Sequence, residues 1–247
     1  MIKTLASAAL ALTLAFAPGQ AAAQLGPSSA AEAIAEAEAE TAPEQTQQQR
    51  PIPLTVDLDQ TKDPENVLYL DLSTGERVAI RLMPEWAPNH VERIKTLTRQ
   101  GFYDGIIFHR VIDGFMAQTG DPTGTGTGGS PLPDLEAEFN AMPHVRGTVS
   151  MARAQAENSA NSQFFIVFYP RFSLDRNYTN FGRVIGNMAA VDGIARGEPP
   201  ANPTYIVQAS IAADGKPQKF PTAQSAPTAV EPLGADFGNL LVPAEGQ

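Results

Sequence analysis

"FHRVIDGFMAQTGD", residues 108–121, crowds apolar and aromatic side chains around one arginine, Arg110, and one glutamine, Gln118. The stretch contains no cysteine, no serine and no carboxylate pair, so it offers no obvious nucleophile. On an extended strand, alternation would place Arg110 on the same face as Phe108 and Ile112. A charge among apolar side chains is costly unless it has a task, which makes Arg110 a candidate functional residue.

Short apolar runs on both sides of this stretch predict a mainly β fold. Two other segments have helical spacing, residues 87–101 and 187–197, and Pro88 suits the first turn of the former. Many short strands with only two helices favour a closed or nearly closed antiparallel barrel capped by the helices. The predicted strands are 67–72, 77–82, 105–112, 147–152, 162–168, 180–186 and 204–212.

Composition excludes several classes of protein. The chain has 247 residues and is 43% apolar, which is enough for one well-packed core. It has no cysteine, so disulfides, thiolate nucleophiles and thiolate metal sites are excluded. A net charge of -10 without a Lys/Arg cluster argues against a nucleic-acid partner, which needs a positive surface.

The remaining motifs are weak. The histidines His90, His109 and His144 lack metal-ligand spacing, so no metal site is expected, and His109 is interpreted as a hydrogen-bonded core histidine. The sequence has no G-x-S-x-G element, the motif that would predict a serine hydrolase. "GTGTGG", residues 124–129, matches a dinucleotide loop by letters, but it runs into two prolines instead of a helix. A tight loop that another chain can approach fits this segment better.

The N-terminus predicts export. Residues 1–23 have a positive Lys3, an apolar run too short for a comfortable membrane span, and an Ala-rich cleavage site ending at Ala23. We therefore expect a cleaved signal peptide, a periplasmic protein and no stable membrane insertion. The alternative is an uncleaved membrane anchor.

Composition divides the rest of the chain into three parts. Residues 24–64 are rich in Ala, Glu, Gln and Pro and predict a tether or disordered arm. Residues 65–213 hold the strand and helix patterns and predict one folded domain. Residues 214–247 are again rich in Pro and Ala and predict a loosely held tail.

The blocks "GFYDGIIFHRVIDGFMAQTGDPTGTGTGG", "GTVSMARA", "NSQFFI" and "NFGRVIGNMAAVDGI" occur in this order within residues 66–212. Together they resemble the cyclophilin family of peptidyl-prolyl isomerases. The resemblance implies an eight-stranded antiparallel β-barrel capped by two α-helices. It also implies catalysis of X-Pro bond rotation without a cofactor.

The resemblance assigns roles to matching positions. The implied catalytic residues are Arg110, Gln118 and Phe115. The implied substrate-binding residues belong to an apolar proline pocket, an adjoining sub-pocket that includes Gln163, the glycine-rich loop near the groove and a backbone stretch that pairs with the peptide. They are Met116, Gly126, Ala152, Arg153, Gln163, Phe165, Leu174 and Tyr178.

Three positions depart from common family patterns. Ser173 stands where many eukaryotic members have a tryptophan that contacts cyclosporin, so weak cyclosporin binding is expected. Tyr178 stands where a histidine is frequent, and activity is expected to survive this change. The loop 153–161 is one residue longer than usual, which leaves the match between Ala154 and Ser162 open.

Other functions stay open at this point. The same pocket could serve a proline-binding chaperone with little catalysis, or the barrel could be a scaffold whose acidic arm and tail recruit partners. A nucleotide-binding enzyme is a distant third. The expected substrates are exported, unfolded chains that contain X-Pro bonds, and the absence of heptads or an exposed apolar stripe favours a monomer.

Overall fold

The computed structural model describes residues 53–222, which hold eight β-strands and two α-helices. The predicted signal peptide, the arm up to residue 52 and the tail beyond residue 222 lie outside the described residues. The helices are α1 (Pro88–Arg99) and α2 (Met188–Asp192). The strands are β1 (Val67–Leu72), β2 (Arg77–Leu82), β3 (Arg110–Ile112), β4 (Met116–Thr119), β5 (Thr148–Met151), β6 (Phe164–Val167), β7 (Asn180–Gly186) and β8 (Ile206–Ile211).

All eight strands form one antiparallel sheet in the order β3-β4-β6-β5-β7-β2-β1-β8. The sheet curls until its ends meet, because Ile107 forms an antiparallel bridge with Tyr205. Beside that bridge, the Phe108 amide donates a 2.8 Å hydrogen bond to the Thr204 carbonyl. The predicted fold class, a mainly β antiparallel barrel with two helices, is confirmed.

Strand alternation divides the side chains between the interior and the outer face. One residue from each of four neighbouring strands lies in register and is buried in the main core. These residues are Val111 of β3, Ala117 of β4, Ile166 of β6 and Val149 of β5. The apolar faces of α1 and α2 complete the same core. The residues that alternate with these four along their strands therefore point outward.

Among residues 53–222, no helix has the length and apolar content needed to cross a membrane.

The observed elements differ from the predicted ones in three places. The predicted strand 105–112 is a strand only from Arg110, because residues 105–108 bond to 204–206 instead. Alternation therefore does not link Phe108 to Arg110: the former is fully buried, and the latter keeps a side chain that is 41% exposed. Strand β4 was not predicted as a strand, and α2 ends at Asp192, before Gly193, instead of continuing to residue 197.

The described parts of the flanks lie on the barrel. Four backbone carbonyls of segment 57–63 accept hydrogen bonds from the buried guanidinium of Arg81 in β2. At the other end of the chain, the Lys219 amide donates a 2.7 Å hydrogen bond to the carboxylate of Asp71 in β1. These contacts differ from the tether and the loose tail that composition predicts. The boundaries at 64/65 and 213/214 stay predictions.

Candidate active site

A row of side chains crosses the outer face of four neighbouring strands. Register aligns Arg110 of β3 with Gln118 of β4, Gln118 with Phe165 of β6, and Phe165 with Ser150 of β5. Adjacent strands lie about 4.8 Å apart, so the backbones of Arg110 and Phe165 are about 10 Å apart. The sheet thus holds a cation, an amide and an aromatic ring in one line on a rigid surface.

An apolar cluster lies beside this row and is separate from the main core. Its buried centre is formed by Met116, Phe165 and Val167. The ring of Tyr178 packs edge-on against Phe165, with 5.7 Å between ring centroids. Five half-buried side chains surround the centre: Ile112, Phe115, Ala152, Leu174 and Tyr178. We call this set the outer apolar cluster.

Two arginines border the outer apolar cluster. The guanidinium carbon of Arg171 lies 5.1 Å from the ring centre of Phe115, and that of Arg153 lies 4.9 Å from the ring centre of Tyr178. Arg153 also donates hydrogen bonds to the carbonyls of Asn177 and Ala154. The rim of the cluster is therefore cationic, and Arg153 ties two of its loops together.

A cleft of about 510 Å³ adjoins the row on the side of the glycine-rich loop. The Gln118 side chain donates to the Gln163 side chain at 2.8 Å, and Gln163 in turn donates to the carbonyls of Gly126 and Gly128. Five of the predicted site residues line this cleft: Gln118, Gly126, Ala152, Arg153 and Gln163. The two glutamines thus join the strands to the loop.

Asp121 holds the glycine-rich loop in shape. Its Oδ2 accepts hydrogen bonds from the amides of Gly126 and Gly128, and its Oδ1 accepts two from Thr123, one from the amide and one from the hydroxyl. Burial raises the pKa of Asp121, but hydrogen bonds from Thr123, Gly128 and Gly126 outweigh it, so the pKa lies below its usual value. Since the amides of Gly126 and Gly128 already bind a carboxylate, they are not free to bind a phosphate group. The geometry disfavours the dinucleotide interpretation.

Arg110 has a partner that sequence reasoning missed. Its Nε donates a 2.8 Å hydrogen bond to Oε2 of Glu198, a residue 88 positions further along the chain. Both side chains are partly exposed, 41% for Arg110 and 53% for Glu198. The arginine is therefore a half-exposed, paired cation at the edge of the outer apolar cluster, and not a charge embedded among apolar groups.

His109 is buried next to the row. The expectation that its ring is hydrogen-bonded is wrong, because neither ring nitrogen has a partner among the described residues. Burial lowers the pKa of His109; the charge of Asp121 opposes this and that of Arg110 adds to it, with a net lowering. The ring is therefore neutral near pH 7, and it lies under the glycine-rich loop, where a Cβ on Gly126 would be 3.6 Å from it.

His144 supports the outer apolar cluster from behind. Its ring stacks on Phe165 with 6.4 Å between centroids and an interplanar angle of 21°. Nδ1 lies 2.9 Å from Oδ1 of Asp175, and Nε2 lies 3.1 Å from Oγ of Ser150. The set resembles a hydrolase triad, but Ser150 is fully buried, so no substrate can reach it. Instead, His144 fixes the turn that carries Leu174 against Phe165.

All eleven predicted site residues lie in this region. Arg110 and Gln118 are register neighbours in the row, and the others form or border the cluster or the cleft: Phe115, Met116, Gly126, Ala152, Arg153, Gln163, Phe165, Leu174 and Tyr178. Ser173 is exposed on the short helical turn Phe172–Leu174, and Phe172 beside it is also exposed. Within residues 53–222, no three His, Asp or Glu side chains gather as a metal site would require. The individual roles of the eleven residues stay predictions.

The comparisons with known sequences agree on one family. The model of the cyclophilin-type peptidyl-prolyl cis-trans isomerases matches residues 69–211. A probable peptidyl-prolyl cis-trans isomerase of Brucella suis is 50% identical over 170 residues, which cover 62% of this chain and 86% of the relative. Peptidyl-prolyl cis-trans isomerase B of Bacillus subtilis is 40% identical over 131 residues, covering 53% of this chain and 91% of that protein.

Solved structures give the same result. A cyclophilin from Hirschia baltica superposes with a TM-score of 0.58 and 31% identity, over 64% of this chain and 78% of that one. A cyclophilin-type isomerase from Cryptosporidium parvum, crystallised in the presence of the dipeptide Ala-Pro, superposes with a TM-score of 0.55 and 28% identity. The match covers 59% of this chain and 98% of that one. The chain belongs to the cyclophilin-type peptidyl-prolyl cis-trans isomerases.

Proposed function

We propose that this chain accelerates cis-trans rotation of X-Pro bonds in exported proteins that are unfolded or partly folded, and that it does so as a monomer without a cofactor. The row of Arg110, Gln118 and Phe165 beside the outer apolar cluster is the observation that carries the proposal. Such a surface offers a hydrogen-bond donor next to apolar side chains against which a proline ring could pack.

Rotation about an X-Pro bond requires no bond to be broken. The barrier of about 18–20 kcal/mol comes from delocalisation of the nitrogen lone pair into the carbonyl. In the twisted transition state the lone pair is localised on nitrogen and is a better hydrogen-bond acceptor. A guanidinium aimed at that nitrogen therefore stabilises the twisted amide more than the planar one.

The other residues would hold the substrate on either side of the rotating bond. Phe115, Met116, Phe165 and Leu174 would enclose the proline ring and exclude water. Gln118 and the backbone near Arg153 would bind the flanking peptide, so that one side of the bond stays fixed while the other turns. Support for this role comes from the Ala-Pro dipeptide present with the Cryptosporidium relative.

An exchange measurement tests the proposed activity directly. Magnetisation transfer between the cis and trans resonances of an Ala-Pro peptide should become fast in the presence of a trace of the protein, against uncatalysed exchange in about 10–100 s. Binding of the peptide without acceleration would support the chaperone alternative and contradict the isomerase. The Arg110 variant described in the Discussion provides the inactive control.

Cyclosporin should bind this chain weakly, because Ser173 presents a short polar side chain where an indole would provide a large contact area. Replacing Ser173 with Trp should tighten binding by about tenfold, roughly the effect of burying one aromatic ring on a surface that is half covered. Fluorescence or calorimetric titration of both proteins measures the change. Tight binding by the unchanged chain would show that the exposed Phe172 already replaces the indole.

Export is supported by the composition of residues 1–23, which have the charge, apolar length and small residues of a cleaved signal peptide. Mass spectrometry of the protein from a periplasmic fraction should give an N-terminus at Gln24. A full-length N-terminus in the membrane fraction would instead indicate an anchor. Light scattering of the mature protein tests whether it is a monomer.

A further inference from the structure

We propose that Glu198 is a positioning residue that orients the guanidinium of Arg110 for catalysis. The inference rests on the proposed function, in which Arg110 is the donor to the twisted amide. It adds to that function a residue from a distant loop, between α2 and β8, that belongs to neither the outer apolar cluster nor the cleft.

The backbone brings Glu198 to Arg110. Val111 and Gly197 form an isolated antiparallel bridge with two reciprocal hydrogen bonds, 2.8 Å from the Val111 amide and 2.9 Å from the Gly197 amide. In an antiparallel bridge the residues before one partner and after the other are opposite each other, so Glu198 is aligned with Arg110. Gly197 makes this possible: its φ is +142°, and a Cβ there would lie 2.5 Å from the Cα of Pro200.

The side-chain contact restricts the guanidinium without occupying all of it. Glu198 accepts only from Nε, at 2.8 Å, so the Nη1 and Nη2 groups are left with no hydrogen-bond partner among residues 53–222. Because the guanidinium is planar, one bond at Nε sets the direction in which the Nη groups point. The register neighbour Gln118 does not share this task, since its amide donates to Gln163.

The expected benefit lies in orientation. An unrestrained arginine that is 41% exposed would sample many rotamers, and few of them would direct an Nη group towards the substrate nitrogen. Fixing the side chain matters most when the lone pair localises, so Glu198 should act on kcat and leave KM unchanged. As an exposed ion pair, its effect should be modest in size.

Three variants test the proposal, each measured by exchange of an Ala-Pro peptide over a range of concentrations. Glu198→Ala should lower kcat about fivefold with KM unchanged. Glu198→Gln keeps an oxygen acceptor and should retain more activity than the alanine variant. Asp192→Ala is the matched control, because it removes a carboxylate of similar exposure from an arginine pair away from the site, Arg146–Asp192, and it should leave kcat unchanged.

A spectroscopic readout separates orientation from a general loosening of the loop. The ¹H-¹⁵N signal of the Arg110 side-chain Nε–H, assigned by its loss in Arg110→Ala, should move in Glu198→Ala and stay in place in Asp192→Ala. An unchanged kcat in Glu198→Ala would overturn the inference, and so would a fall in kcat without movement of that signal. If instead Arg110→Ala kept full activity, the proposed function itself would fail, so the two failures are distinguishable.

Discussion

Replacing Arg110 with alanine should lower kcat/KM for an Ala-Pro peptide by about a hundredfold or more, in line with the loss of one preorganised donor in other active sites. The variant retains Phe115, Met116, Phe165 and Leu174, so it should still bind the proline ring. Measured by magnetisation exchange, the loss should therefore appear mainly in kcat.

The fold should survive this change, because the Arg110 side chain is partly exposed and its one ion pair within residues 53–222 is at the surface. Thermal unfolding should show a midpoint close to that of the unchanged protein. Arg110→Lys is the informative companion variant: it keeps the charge but lacks the planar fork, so it should recover little of the lost rate. Near-full activity of Arg110→Ala would show that the assigned role is wrong.

The pH dependence gives an independent check on the same role. A guanidinium stays protonated across the working range, so the rate should be flat between about pH 6 and 9. His109 is the nearest rival for a proton-dependent role. Because the net effect of its surroundings lowers its pKa, His109 should titrate below the usual range for histidine. A steep titration centred near the usual pKa of histidine, about 6.5, would implicate it and contradict the arginine mechanism.

Local sequence patterns predicted the barrel well where strands are long. The predicted strands 67–72, 77–82 and 180–186 match β1, β2 and β7 residue for residue, because each is a run of six or seven residues with several apolar or β-branched side chains, bounded by turn residues. Strand β4 has only four residues and was not predicted. Asp113-Gly114 just before it is nevertheless a typical hairpin turn, and the φ of Gly114 is +66°. That turn signal could have revealed the strand.

The site was predictable where its residues are close in sequence. "FHR" and "GFMAQ" lie on the paired strands β3 and β4, so register alone brings Arg110 and Gln118 together. Asp121 could have been inferred from its place at the start of a glycine-rich loop, where aspartate often binds backbone amides. Glu198 and His144 had no comparable signal, because each reaches the site through tertiary contacts from a distant loop.

Composition gives no sign of the contacts that residues 57–63 make with the barrel. The side chains of residues 57–63 are those of a solvated, charged linker. The segment contacts Arg81 through its backbone carbonyls, which are present in every sequence and therefore leave no pattern to recognise. The partner is a single residue, Arg81, in the apolar strand β2. Alternation along that strand predicts only that the Arg81 side chain lies on the surface, whereas it is buried under the segment. No local pattern connects the two, so composition alone places the segment in the arm.

Arg81→Ala should lower the free energy of unfolding by about 3 kcal/mol, the scale for removing one side of a buried charged contact. Arg81 is 4% exposed, and its side chain donates to the carbonyls of Asp57, Asp59, Lys62 and Asp63 at 2.6–3.2 Å. Without it, those carbonyls lose their donor and segment 57–63 should detach. Urea unfolding, followed by far-ultraviolet circular dichroism, measures the change in stability.

The protein carries its own local probe for this detachment. Trp86 is the only tryptophan, it is buried, and its indole donates a 2.9 Å hydrogen bond to the carbonyl of Pro53, next to the segment. In Arg81→Ala its fluorescence should shift to the red at urea concentrations below the main transition. Lys62→Ala is the matched control, because it removes an exposed cation from the same segment and should change stability by less than about 1 kcal/mol. If Arg81→Ala unfolded like the unchanged protein with no early shift, segment 57–63 would be a passive arm after all.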